Sequence, residues 1–122
     1  MSTGHAAAEA IKPIAQAAVP GWSVQFGLWL DSQVKGERYV VLRPIGGSGS
    51  GLVRRPMLSA MFVGAVGDAA AVTTSAVDAF QQGVRSDVGP ALVYAEVSEP
   101  VVMQTADGRP VAEVVVSSIL SL

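Results

Sequence analysis

Met57-Leu-Ser-Ala-Met-Phe-Val-Gly-Ala-Val66 is apolar at odd and even positions alike, so a strand built from it is buried on both faces and sits centrally in a sheet. Directly after it, Asp68 stands where it can cap a helix reaching about Arg85, in which Val72, Ala76, Phe80 and Val84 recur at four-residue spacing and form one apolar stripe. Gly89-Pro90 then breaks the chain. A buried strand followed by a one-faced helix is the kernel from which the rest of the fold is read.

Upstream, Trp22, Val24, Phe26, Leu28 and Leu30 alternate with Ser23, Gln25, Gly27, Trp29 and Asp31, which predicts a strand with one wholly apolar face. Asp31 to Gly36 supplies turn residues, and Arg38 to Arg43 carries Tyr39, Val40, Val41 and Leu42, a second strand expected to pair with the first as an antiparallel hairpin. Pro44 is expected to stop it, and Gly46-Gly-Ser-Gly-Ser-Gly51 to form a loop. Before these, residues about 5 to 19 are alanine-rich with Ile11, Ile14 and Val19 interspersed, a helix composition in which Pro13 belongs near the first turn or kinks the axis.

Downstream, Leu92 to Val97 and Val111 to Leu120 read as strands, Ala106-Asp107-Gly108 as a turn, and Pro100 to Thr105 as a candidate for one more short strand. Antiparallel strands separated by a helix, without strict alternation, predict an α+β fold. The expectation is a single domain over residues 1–122, with a mainly antiparallel sheet of about four to five strands and two helices packed on one face.

Composition narrows the function. Half of the residues are hydrophobic and 15% are charged, so apolar surface is expected to remain for a partner. A net charge of -2 creates no general field for nucleic acid, and no segment approaches the ~20 apolar residues of a bilayer-spanning helix. The absence of cysteine excludes disulfides and thiolate metal sites.

Catalytic parts are scarce. The one histidine, His5, falls in an N-terminal segment expected to fray. Asp68, Asp78, Asp87, Glu96, Glu99, Asp107 and Glu113 are scattered without metal-ligand spacing, and solvation, capping and ion pairing are their default roles. The glycine-rich stretch lacks the Gly-Lys-Ser/Thr ending of a phosphate loop and runs instead into Arg54-Arg55-Pro56. No enzyme, cofactor or metal site is expected.

Charge is segregated along the chain. Residues 35 to 55 hold Lys35, Arg38, Arg43, Arg54 and Arg55 against Glu37, whereas residues 86 to 122 hold Asp87, Glu96, Glu99, Asp107 and Glu113 against Arg109. Two readings stand side by side: pairing between neighbouring strands of one chain, or a heterologous contact between subunits, which closes into a ring when its rotation permits.

Arg38-Tyr-Val-Val-Leu-Arg-Pro-Ile45, continuing through the Gly/Ser stretch to Leu52-Val-Arg-Arg-Pro-Met57, resembles the tail termination family of lambda-like siphophages. Val84-Arg-Ser-Asp87, Glu99-Pro100 and Thr105-Ala-Asp-Gly-Arg-Pro-Val-Ala-Glu113 are similar to later segments of that family, so the resemblance covers residues about 37 to 120. It implies a structural virion protein that forms a hexameric ring at the head-proximal end of the tail tube, halts tube polymerisation and offers a surface for head attachment. The partners it implies are further copies of the chain, the tail tube protein and the head-tail connector protein, with no membrane. Assembly would take place in the host cytoplasm, and DNA would pass nonspecifically close in the lumen.

The plain reading of the stretch holding Gly46, Gly47, Gly49 and Gly51 is a long hairpin connection, and by the same resemblance it is a flap that orders on contact with a neighbouring subunit. Arg54 and Arg55 are candidates for contacts within the ring or with the tube, and Arg43 and Arg109 for holding loop geometry or lining the ring surface. The alternatives are another neck, tail completion or connector subunit of the same virion, and a small ligand-binding domain using the sheet face.

Overall fold

A computed structural model describes residues 3–27, 37–50, 53–86, 92–106 and 108–121. The elements are α1 (Thr3–Ala18), β1 (Ser23–Phe26), β2 (Tyr39–Ser50), β3 (Val53–Val63), α2 (Ala70–Ser86), β4 (Leu92–Val97), β5 (Val101–Gln104) and β6 (Pro110–Ser121). They build one six-stranded sheet in the order β1-β2-β3-β6-β4, with β5 paired to β6 beside β4. The architecture is α+β, as composition and patterning predict. The sheet is mixed and has one strand more than expected.

The core lies between the sheet and the two helices. Alternate sheet residues Val40 and Leu42, Leu58, Ala60 and Phe62, and Ala112, Val114 and Val116 meet Ile11, Ile14 and Ala15 of α1 and Ala76, Val77, Phe80 and Val84 of α2. Phe62 touches Phe80 edge-on at 5.3 Å between centroids and Trp22 at 6.3 Å, so one central-strand aromatic ties β3 to α2 and to the entry of β1. Both helices therefore cover the same face. On the other face, which no helix covers among the described residues, Tyr39, Val63 and Val111 form a small buried cluster with Met61 against it.

β3 occupies the central place expected of it, between β2 and β6. Four other expectations need correction. β1 pairs with β2 in parallel, Ser23 opposite Tyr39 and Phe26 opposite Leu42, and not as an antiparallel hairpin. Alternation dictates which face a strand buries and is silent on strand direction. The expected continuation through Leu28 and Leu30, the turn at Asp31 to Gly36 and the break at Gly89-Pro90 lie outside the described residues.

Pro44 does not end β2. Among the described residues the strand has no β1 partner beyond Leu42 and there lies at an edge of the sheet, where half of the backbone N–H groups are not needed and a proline is tolerated. A bulge between Pro44 and Gly46 absorbs it, with Gly46 at φ 105°, a conformation that favours glycine. Nor is the Gly/Ser stretch a loop as far as Ser50: Gly47, Ser48, Gly49 and Ser50 pair with Pro56, Arg55, Arg54 and Val53. β6 holds β3 out to Val53, opposite Ser121, and so provides a template along which the glycines extend.

Asp68 is the last correction. The helix after it begins at Ala70, and the Asp68 carboxylate turns back to accept the Ala65 N–H at 2.8 Å and to pair with Arg38. In α1, Pro13 lies well inside the helix and is exposed, at the expense of one backbone hydrogen bond. The short strand foreseen at Pro100 to Thr105 exists as β5, and the turn before β6 closes with Gly108 N–H to Thr105 O at 3.1 Å.

Candidate assembly surface

The sequence-derived candidates separate into two places. Arg43, Gly46, Gly47, Gly49, Arg54 and Arg55 all fall on the β2–β3 hairpin, while Arg109 immediately precedes β6 at the opposite end of the sheet; Gly51 lies outside the described residues. Arg43, Gly46 and Arg55 are exposed. Arg43 pairs across to Ser59, and Arg55 across to Ser48, which puts both arginines on the helix-free face. Residues 39–63, which span the hairpin, contain three arginines and no acidic residue, and exposed Arg43 and Arg55 give its helix-free face a positive character.

Arg109 has the opposite fate. It is 0% exposed, donates from Nη1 to Glu37 O at 2.9 Å and to Gly64 O at 3.0 Å, and lies 5.5 Å from the centre of the Tyr39 ring. In the isolated chain it therefore lines no surface. It ties the entry of β2 to the exit of β3.

A second tie reinforces the same end of the sheet. Arg38 reaches Asp68 through both guanidinium arms, Nε to Oδ2 at 2.8 Å and Nη2 to Oδ1 at 3.2 Å, and its guanidinium carbon stands 5.9 Å from the Trp22 ring centre. The hydrogen bond from Arg38 holds the Asp68 carboxyl below its ordinary value. Burial opposes that shift, while the Ala65 N–H and the charges of Arg38 and Arg109 support it. The same pairing raises Arg38. These residues make a rigid base from which the hairpin projects.

The acidic segment also has a definite position. Glu96 in β4 and Glu99 after it are exposed, and Glu113 in β6 accepts a hydrogen bond from Ser59 Oγ at 2.7 Å. Because Arg109 is buried, it does not offset these carboxylates at the surface. Glu96 and Glu99 thus lie across β6 from the basic hairpin, whereas Glu113 reaches β3 itself. Among the described residues, no group of three or more histidine, cysteine, aspartate or glutamate side chains is placed to hold a metal ion, and no helix is long and apolar enough to cross a membrane.

Sequence reasoning missed the exposed apolar residues. Ile45 and Met57 stand out on the hairpin, and Val101, Val102 and Met103 of β5 are 60%, 50% and 46% exposed. In sequence, Val-Val-Met reads as core. The available signal was the strand's shortness, with Glu99-Pro100 on one side and the turn at Gly108 on the other.

The family described as phage tail termination protein matches residues 7–121 of this chain. Among solved structures, a chain of the virion of a native gene transfer agent particle has a similar fold, with a TM-score of 0.65 and 14% identity, over 99% of this chain and 100% of that one. No curated protein matches.

Proposed function

This chain belongs to the phage tail termination family and is a structural tail protein, and from that premise we propose that it closes the head-proximal end of a tail tube as a hexameric ring of identical subunits. Capping is a change in which interface is on offer: the ring covers the strand edges and side chains that would recruit the next tube subunit and substitutes a surface for the head-tail connector. No chemical step is needed.

The observation that carries this reading is the family match over almost the whole chain. The disposition of charge supports it. Exposed arginines on the β2–β3 hairpin and exposed Glu96 and Glu99 across β6 from it suit a heterologous contact, the type that repeats around a ring. In the proposed ring, Arg43, Arg54, Arg55 and the glycines Gly46, Gly47, Gly49 and Gly51 contribute to contacts between subunits or with the tube, while Arg109 holds the loops behind them.

The test is electron microscopy of particles from infected cells carrying a null allele of this gene, beside cells in which the gene is supplied in trans. Overlong, headless tubes that regain normal length on complementation are the expected result. Tails of normal length that fail to join heads would make the protein a connector, and normal virions would overturn the structural reading.

A further inference from the structure

β5 is an edge strand of unusual character. It pairs only with β6 among the described residues, all of its four residues are exposed, and three of them are Val101, Val102 and Met103. Edge strands are ordinarily guarded by charge, proline or cover, because an apolar edge with open backbone groups recruits another strand. Pro100 and Glu99 guard only its beginning. The remainder is suited to being covered.

Its surroundings indicate by what. Glu99 and Glu96 lie exposed just upstream of Val101, so a segment laid along the start of β5 meets carboxylates, whereas Glu113 on β6 is turned to Ser59 of β3. Within this chain the complementary element is the distal part of the β2–β3 hairpin, which bears Arg43 and Arg55 with exposed Ile45 and Met57, and whose outer edge beyond Leu42 carries no strand among the described residues. It does not meet β5 of its own chain, because β6 stands between β3 and β5, with Val53 of the distal hairpin opposite Ser121 at one end of β6 and Val101 of β5 opposite Glu113 toward the other. Both surfaces are therefore available to different neighbours at once.

We infer that β5 is the receiving edge for the distal β2–β3 hairpin of a second copy of this chain. The contact is heterologous, hairpin to β5, and each subunit uses both halves. Apolar contact between Ile45 or Met57 and Val101 to Met103 excludes water at its centre, and arginines facing Glu99 and Glu96 set the register. This rests on the ring reading above and names the surface through which neighbours meet.

The chain contains no cysteine, so introduced thiols report on their own positions alone. Ile45→Cys and Met103→Cys are supplied singly and together in cells carrying the null allele, tails are purified, and a short bis-maleimide is added before immunoblotting for this chain. The expected result is a cross-linked dimer only when both variants are present, and a ladder when one chain carries both. Met57→Cys with Val101→Cys serves as a second pair if either substitution impairs complementation.

Cross-linking of Met103→Cys to itself would replace the inference with a symmetric β5–β5 contact. Normal-length tails without any cross-link from either pair would show a ring built through other surfaces, overturning this inference while leaving the capping function intact. Normal virions from the null allele itself would remove both.

Discussion

Arg109 and Gly64, 45 residues apart in sequence, are joined by a hydrogen bond of 3.0 Å from the buried guanidinium to the glycine carbonyl. The same nitrogen also donates to Glu37 O. Arg109→Ala would leave both carbonyls without this donor and open a hole beside Tyr39, with an expected loss of roughly 2–4 kcal/mol in urea unfolding. Arg109→Lys keeps the charge but not the planar fork and is expected to lose about 1–2 kcal/mol. Equal stability of all three proteins would exclude a structural role for this bond.

Gly64 is constrained from another side as well. A β-carbon there would lie 2.8 Å from Pro110 Cγ, 3.1 Å from Pro110 Cδ and 3.2 Å from Asp68 Oδ2, with the proline ring too stiff to yield freely. Gly64→Ala is expected to destabilise by roughly 1–3 kcal/mol through overpacking. Thermal unfolding measures this directly, and an unchanged midpoint would mean that β3 and β6 can separate at this point without loss.

The pairing of Asp68 with Arg38 predicts a pH dependence of known sign. Because the native carboxyl is held below its ordinary 3.8, its contribution is complete above the unfolded value and fades as pH falls through the native one. The Arg38 side chain is 42% exposed, so solvent weakens the ion pair, and Asp68→Asn is expected to cost about 1 kcal/mol at neutral pH. The gap between wild type and Asp68→Asn should narrow as pH falls below about 5 in denaturant titrations. A constant gap over that range would assign the effect to packing.

Arg43 and Arg55 are exposed, and the structure gives neither a hydrogen bond nor an ion pair among the described residues. The double reversal Arg43→Glu with Arg55→Glu is expected to change unfolding free energy by no more than about 0.5 kcal/mol. Tube capping in complemented cells should nevertheless be lost, and wild-type ring formation should weaken as salt rises. Capping that survives the double reversal would remove these arginines from the interface.

Much of the fold was legible because periodicity records burial. The double-sided apolar run at Met57 to Val66 gave away the central strand, and the four-residue spacing from Val72 to Val84 gave away α2. The assembly surface was half legible: the arginines of the hairpin were visible as a cluster, whereas β5 was not recognisable as exposed, since Val101, Val102 and Met103 are the same residue types that fill the core. Arg109 and Arg43 look alike in sequence, yet one is buried and the other open to solvent.

By itself, the sequence determined the two helices, the central strand and the segregation of charge, because these follow from local spacing and composition. Only the tertiary structure decided that β1 runs parallel to β2, that a proline and a run of glycines extend as an edge strand, and that Asp68 binds Arg38 and does not cap the helix. Each of those outcomes depends on which distant segment supplies a partner. A strand's direction, an edge's vacancy and a carboxylate's choice of donor exist only once residues far apart in sequence lie side by side.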